Sequence, residues 1–219
     1  MNYSLKQEGE FNYVEIGEGQ PIIILHGLMG GLSNFDGVAA FFSKNGYMVV
    51  LPELPLYSLS LLKTNVKSFS NYLNDFIEFK GYKDVILIGN SLGGHIGLYY
   101  TKLYPKEMKA LIITGSSGLY ESAMGSGYTK RSDYEVMKAK AQEVFYDPEV
   151  ATKTIVDEVY ETVNDRNKLI KILAYSSLFT GRRNSSFKTS SYETPGHLIK
   201  FFSKKLWHIF FVFRYTTNF

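Results

Sequence analysis

The hydrophobic positions of residues 1–115 fall into short apolar runs that alternate with segments of helical spacing. The apolar runs predict strands, which we place near 3–7 and at 11–16, 21–25, 47–51, 85–88 and 110–115. Apolar positions three and four residues apart predict helices at 35–45, 66–80 and 95–104. Strands and helices that alternate in this way are joined by right-handed crossovers. The pattern therefore predicts the α/β class, with a doubly wound, mostly parallel sheet.

A different pattern occupies residues 116–180. A loop rich in Gly, Ser and Tyr is followed by three helical patterns with no strand between them. Ligands of doubly wound sheets bind at the carboxyl ends of the strands, where a covering segment can exclude water. We therefore expect 116–180 to form a helical cap, or lid, over a core made by 1–115. The alternative is that these helices are ordinary coverings of the sheet.

Composition limits the class of protein. The chain has 219 residues, which is enough for one domain with a sizeable core, and it contains no cysteine. Basic residues number 24 and acidic residues 21, but seven of the basic and one of the acidic residues lie in 181–219. The remainder is mildly acidic, and no basic stripe indicates a nucleic-acid partner. Because no secretory leader and no membrane-spanning run is visible, we expect a cytoplasmic protein.

A strand, a glycine-rich turn and a helix meet around Ser91. Residues 89–93 read Gly-Asn-Ser-Leu-Gly and fit the G-x-S-x-G pattern, directly after the strand predicted at 85–88. In such a nucleophile elbow the serine has a strained backbone, and its neighbours must leave room for the tight turn. Gly89 and Gly93 leave that room. We expect the hydroxyl of Ser91 to be exposed above the sheet, at the positive end of the following helix.

A second glycine-rich loop, with the sequence His-Gly-Leu at 26–28, follows the strand predicted at 21–25. A third motif, Thr-Gly-Ser at 114–116, ends the last predicted strand of the core. With these three motifs, residues 20–175 resemble the α/β-hydrolase family, in particular bacterial serine hydrolases with a helical cap.

The resemblance implies a role for each matching position. Ser91 corresponds to the nucleophile, and the backbone N–H groups of Leu28 and Leu92 correspond to the two donors of an oxyanion hole. His26 is implied to be structural. The glycines implied to lie near the site are Gly27, Gly89 and Gly93. The resemblance implies no metal and no organic cofactor.

These roles predict a serine hydrolase that acts by acyl transfer on a small-molecule substrate. We expect that substrate to be a small apolar ester, a thioester or a compound with a cleavable carbon–carbon bond. Two alternatives stay open. The chain could be a catalytically impaired or inactive hydrolase that lacks part of its machinery, or a cofactor-free haloperoxidase-like enzyme on the same scaffold.

The resemblance stops near residue 181, where the composition shifts toward basic and aromatic residues. The family places the acid and the histidine of its triad downstream of the cap, yet no Asp follows Asp165 and no convincing pair of strands is visible. We therefore expect the last two strands to be missing, which would leave an open sheet edge for self-association. One hypothesis is a truncated or frameshifted reading frame for 181–219, and the alternative is a divergent natural terminus.

The tail offers one candidate for the general base. His197 follows a glycine, as the family's histidine does, although no predicted strand precedes it. His208 and Glu121 are weaker candidates for the base and the acid. The spaced apolar residues of 198–213 could instead form one face of a helix.

Overall fold

The computed structural model describes residues 4–28, 31–117, 130–143, 145, 147–180, 197–202 and 210–215. For 177–180 and for the last two ranges, the description covers the backbone. Within this part of the chain, no helix combines the length and the apolar composition that crossing a membrane requires.

One sheet runs through the described part of the chain. Its strands are β1 (Lys6–Glu8), β2 (Phe11–Ile16), β3 (Gln20–Leu25), β4 (Tyr47–Pro52), β5 (Val85–Asn90), β6 (Met108–Thr114), β7 (His197–Phe202) and β8 (Phe210–Tyr215). Their order across the sheet is β1-β2-β4-β3-β5-β6-β8-β7. The inner strands β4, β3, β5 and β6 run parallel, whereas β2 pairs with β4 antiparallel. The prediction of a doubly wound, mostly parallel sheet is confirmed.

The helices agree closely with the predicted spacing. They are α1 (Asp36–Lys44), α2 (Val66–Lys80), α3 (Leu92–Leu103), α4 (Tyr134–Glu143), α5 (Lys153–Asn164) and α6 (Arg166–Thr180). Helix α2 has the predicted bounds because both of its ends carry local signals. The side chain of Asn65 accepts a hydrogen bond from the N–H of Ser68, and Gly81 ends the helix with a φ of 66°. Helix α3 begins at Leu92, earlier than the predicted start at residue 95.

Buried side chains cover both faces of the sheet. The neighbouring residues Ile23 and Ile24 of β3 pack into different groups, one on the side of α2 and α3 and the other beside α1. Strand β3 is thus buried on both faces, as its unbroken apolar run predicts. Ile172 of α6 joins the larger group, whereas Val156 of α5 belongs to a small separate group shared with α4.

The C-terminal strands correct the expectation that the last two strands are missing. Strand β8 pairs antiparallel with β6, and β7 pairs antiparallel with β8, so the edge of the sixth strand is occupied. The alternative of a helix face is also wrong for 197–202 and 210–215. The aromatic and β-branched residues of 210–215 favour extended backbone, and the edge of β6 supplies the hydrogen-bonding partners. The sixth strand therefore has no open edge on this side, and self-association stays a prediction.

Candidate functional site

The turn at Ser91 joins β5 to α3 and holds a strained backbone. Ser91 has a φ of 52° and a ψ of −115°. Its N–H donates to the carbonyl of Thr114 at 3.0 Å, and its carbonyl accepts from the N–H groups of His95 at 3.2 Å and Ser117 at 3.1 Å. Three backbone hydrogen bonds therefore hold a serine in a conformation that L-residues rarely adopt, which is typical of a nucleophile elbow.

Close backbone contacts explain the glycines around this turn. A Cβ atom at Gly89 would lie 2.5 Å from the carbonyl oxygen of Gly93 and 2.6 Å from the N–H nitrogen of Gly94. A Cβ atom at Gly93 would overlap the carbonyl oxygen of Leu25, at the end of β3. Because the obstructing atoms belong to the backbone, any side chain at either position would force the strand and the helix apart.

The loop after β3 meets the turn at Ser91. A Cβ atom at Gly27 would lie 3.3 Å from the Cβ of Ser91 and 3.4 Å from the Oδ1 of Asn90. The next residue, Leu28, is buried. Leu92 is the first residue of α3, so its N–H has no acceptor within the helix. The structure thus brings together Ser91, Leu28 and Leu92, the three residues that the family resemblance singles out.

His26 cross-links the loop after β3 to the loop after β4. Its Nε2 accepts from the N–H of Leu54 at 3.3 Å, so the proton of a neutral ring is on Nδ1. That Nδ1 lies 2.9 Å from the carbonyl oxygen of Gly27 and donates to it. Both ring nitrogens are therefore engaged with the backbone, which agrees with a structural role for His26.

A cavity of about 320 Å³ lies beside this loop. His26 and Leu28 line it from the loop after β3, and Tyr57 lines it from the loop after β4. Glu158 of α5 and Lys168 of α6 line it from the helical segment. Leu28 therefore belongs both to the cavity wall and to the loop that meets Ser91.

Helix α5 reaches the same loop through Glu158. The Oε1 of Glu158 accepts from the hydroxyl of Ser33 at 2.8 Å. Its Oε2 is buried against Gly31 and has no hydrogen-bond partner among the described residues. The helical segment and the loop that follows Leu28 are thus in direct contact.

The strand register does not bring His197 to Ser91. Ser91 follows Asn90, which pairs with Thr114 at the carboxyl end of β6. Thr114 pairs with Phe210, and Phe210 pairs with Phe202 at the far end of β7 from His197. At about 3.4 Å per residue, the backbone of His197 is about 17 Å along the sheet from that level, and β7 is three strands away from β5. This placement argues against the prediction of His197 as the base for Ser91, because a histidine side chain cannot span such a distance. His208 and Glu121 lie outside the described residues.

His95 is the other buried histidine of the described chain. It lies one turn into α3, and burial lowers the pKa of its imidazole to about 4. A base with such a low pKa is weak at neutral pH. Among the described residues, no group of three or more His, Asp or Glu side chains is arranged to hold a metal ion.

Sequence reasoning missed Tyr57 and the contact between Ser33 and Glu158. Tyr57 donates to the carbonyl of Leu28 from a position 29 residues later, and Ser33 and Glu158 are 125 residues apart. No local pattern signals contacts of this range. The prolines around Tyr57 predict only a loop.

Comparison with known proteins supports the fold. The sequence model of the alpha/beta hydrolase fold matches residues 20–201. A similar crystal structure is that of MGS-MChE2, an alpha/beta hydrolase enzyme from the metagenome of sediments from the lagoon of Mar Chica, Morocco. Its sequence is 53% identical to that of this chain. The match covers 81% of this chain and 66% of that chain, with a TM-score of 0.61.

Curated relatives include hydrolases of two kinds. A 2-hydroxy-6-oxononadienedioate/2-hydroxy-6-oxononatrienedioate hydrolase of Comamonas testosteroni is 35% identical over 117 residues, which are 49% of this chain and 40% of that protein. Lipase 1 of Psychrobacter immobilis is 29% identical over 119 residues, which are 51% of this chain and 37% of the lipase. The chain thus spans less than half the length of these two relatives.

Proposed function

The chain belongs to the alpha/beta hydrolase fold family, and from this premise we propose that it is a serine hydrolase with Ser91 as its nucleophile. One observation carries the proposal. Ser91 is held at a φ of 52°, and its Cβ lies where a side chain at Gly27 would touch it. The serine side chain is therefore next to the loop that carries the N–H of Leu28.

In the proposed reaction, the Ser91 oxygen adds to the carbonyl carbon of the substrate, and the carbonyl oxygen becomes an oxyanion. The N–H groups of Leu28 and Leu92 donate to that oxygen, and each such donor typically contributes about 10²–10³ in turnover. Collapse of the intermediate breaks the bond to the leaving group, which takes up the proton that the serine hydroxyl released. Water then adds to the acyl-enzyme, releases the acid and restores the hydroxyl.

The cavity beside Leu28 supports the proposed substrate class through its apolar residues. Its wall is mixed. Five leucines and a tyrosine form the apolar part, and three glutamates, a lysine, a histidine and a threonine form most of the rest: Leu5, Leu28, Leu32, Leu54, Leu56, Tyr57, Glu53, Glu158, Glu161, Lys168, His26 and Thr162. The leucines and the tyrosine ring of this wall favour a small apolar acyl or leaving group, and its charged residues offer polar contacts. Two curated relatives are a lipase and a hydrolase of carbon chains that carry an oxo group. Their names agree with an ester, a thioester or a carbon–carbon bond as the site of cleavage.

We also propose that residues 116–180 form a cap on a core of 1–115, with 181–219 as a third segment whose strands β7 and β8 extend the sheet of the core. Glu158 of α5 and Lys168 of α6 support this division, since both line the cavity that Leu28 also lines. The contact between Glu158 and Ser33 further supports it, because it joins the proposed cap to the core beside the site.

A second candidate is a catalytically impaired hydrolase. It is favoured because neither described histidine ring suits the role of base: both ring nitrogens of His26 contact backbone groups, and burial holds the pKa of His95 at about 4. The register also keeps His197 away from Ser91. A serine hydrolase without its triad partners still retains about 10³–10⁴ over water, from the oxyanion hole and substrate binding.

Hydrolysis of p-nitrophenyl butyrate by three purified chains separates the two candidates. The chains are the wild type, Ser91→Ala and the control Ser43→Ala, which removes a hydroxyl that donates to Ala40 within α1. For an active serine hydrolase, the wild type and the control have equal rates, and Ser91→Ala falls to the buffer rate. Equal rates in all three chains would reject Ser91 as the nucleophile and favour the impaired protein.

A further inference from the structure

Tyr57 makes a short hydrogen bond to the loop that carries the proposed oxyanion donor. Its hydroxyl donates to the carbonyl oxygen of Leu28 at 2.6 Å, and its ring lines the cavity. The ammonium of Lys168 lies 5.4 Å from the centre of the same ring, within the range of a cation–π contact. Tyr57 is therefore placed between helix α6 and Leu28.

The two peptide groups that flank the Cα of Leu28 are both fixed by side chains. The first contains the carbonyl of Gly27 and the N–H of Leu28, and His26 donates to its carbonyl oxygen at 2.9 Å. The second contains the carbonyl of Leu28, to which Tyr57 donates. In a planar trans peptide the C=O and N–H bonds point in opposite directions, so fixing the carbonyl of Gly27 also aims the N–H of Leu28.

A hydrogen bond to only one of these two peptide groups would leave the other peptide group free to rotate. Rotation about the backbone bonds of Leu28 changes the angle between its two peptide planes, and only simultaneous restraint of both planes removes this freedom. His26 and Tyr57 supply the two restraints, and a third bond, from the N–H of Leu54 to His26, ties the loop after β4 to the histidine.

We propose that Tyr57 is a positioning residue for the oxyanion hole, which acts by holding the carbonyl of Leu28 so that the N–H of Leu28 stays aimed at the reacting carbonyl oxygen. This inference rests on the proposed function of Ser91 and Leu28. Preorganised donors stabilise the charge that develops in the transition state. Loss of the Tyr57 hydroxyl therefore lowers kcat more than it changes KM.

Tyr57→Phe tests the proposal, and Tyr72→Phe is its matched control. Tyr72 also donates its hydroxyl to a backbone carbonyl of the loop after β4, that of Glu53 at 3.1 Å, but this bond does not touch Leu28. With p-nitrophenyl butyrate, Tyr57→Phe is expected to lower kcat about tenfold and to change KM by less than about twofold, because the donor is misaimed rather than removed. Tyr72→Phe keeps the kcat of the wild type. Equal kcat in both variants, or a rise in KM alone, would overturn the proposal.

Amide hydrogen exchange provides a second measurement that needs no activity. In Tyr57→Phe, the peptide that spans 26–35 exchanges faster than in the wild type, whereas in Tyr72→Phe its rate is unchanged. Unchanged exchange of this peptide in Tyr57→Phe would overturn the proposal even for an inactive chain. If the wild type hydrolyses no ester faster than Ser91→Ala, the proposed function fails, and the exchange result alone decides the role of Tyr57.

Discussion

The two ends of β5 carry the same unusual backbone angle under different constraints. Asp84 precedes the strand and Ser91 follows it, and each has a φ of 52°. Asp84 is exposed, and its carbonyl accepts one hydrogen bond, from the side chain of Gln20 at 2.7 Å. Ser91 is held by three backbone hydrogen bonds, and the glycines beside it are in close backbone contact.

The difference shows that a positive φ does not mark a functional position by itself. Aspartate visits the left-handed region more readily than most residues, because its short polar side chain bonds to nearby backbone. Serine has a weaker preference of this kind, so its conformation must be enforced by the surroundings. We infer function at Ser91 from the constraints around it, which Asp84 lacks.

The largest expected effect comes from the packing at the Ser91 end. Gly93→Ala places a Cβ atom against the carbonyl of Leu25, and we expect the free energy of unfolding to fall by about 3 kcal/mol. Gly37→Ala in α1 is the control, since its Cβ atom would have no neighbour within 4 Å. That change should leave the stability unaltered or raise it by up to about 1 kcal/mol. Urea denaturation measures both, and equal stabilities would contradict the packing argument.

A second effect depends on pH. Burial lowers the pKa of His95 to about 4, so the folded chain binds fewer protons than the unfolded chain between about pH 6.5 and pH 4. Stability is therefore lost as the pH falls through this window, by about 2 kcal/mol between pH 7 and pH 4.5. His95→Gln should remove this part of the pH dependence. Urea denaturation at pH 7 and at pH 4.5 gives the free energy of unfolding of the wild type and of the variant. An equal loss of stability between the two pH values in both chains would reject the assignment to His95.

Relief of the strain at Ser91 should raise stability. Ser91→Gly removes the Cβ atom from a backbone that glycine adopts freely, and we expect a gain of about 1 kcal/mol in the free energy of unfolding, together with loss of activity. Ser91→Ala keeps the Cβ atom and should show no such gain. A destabilised Ser91→Gly chain would mean that the serine backbone is not strained.

The smallest effect is expected at the other end of the strand. Asp84→Gly should change the free energy of unfolding by less than about 0.5 kcal/mol, because aspartate tolerates this conformation and glycine loses more entropy on folding. Thermal unfolding of Asp84→Gly, measured together with that of Ser91→Gly, compares the two ends of the strand directly. A larger gain at Asp84 than at Ser91 would reverse the contrast between the two ends.

The sequence predicts those parts of the site whose structure is determined by a local pattern. It does not predict the parts whose structure depends on residues distant in the chain. The motif at 89–93 and the loop at 26–28 follow strands with clear apolar runs, so the meeting of Ser91 with Gly27 follows from the topology. The early start of α3 was missed because glycine lowers helix propensity, whereas packing against Leu25 determines the helix there.

Beyond residue 180 the pattern is ambiguous, and tertiary context decides. The apolar spacing of 198–213 is compatible with a helix face, yet the edge of β6 stabilises strands. The hydroxyl of Tyr57 could not be predicted for a similar reason, since its partner Leu28 is distant in sequence. These contacts depend on how loops fold over the sheet, which no short motif encodes.

Labelling with a fluorophosphonate probe, followed by peptide mapping, tests the central claim most directly. The account predicts one covalent adduct, on the peptide that contains Ser91, and none in Ser91→Ala. An adduct on a different serine, or equal labelling of the wild type and Ser91→Ala, would contradict it.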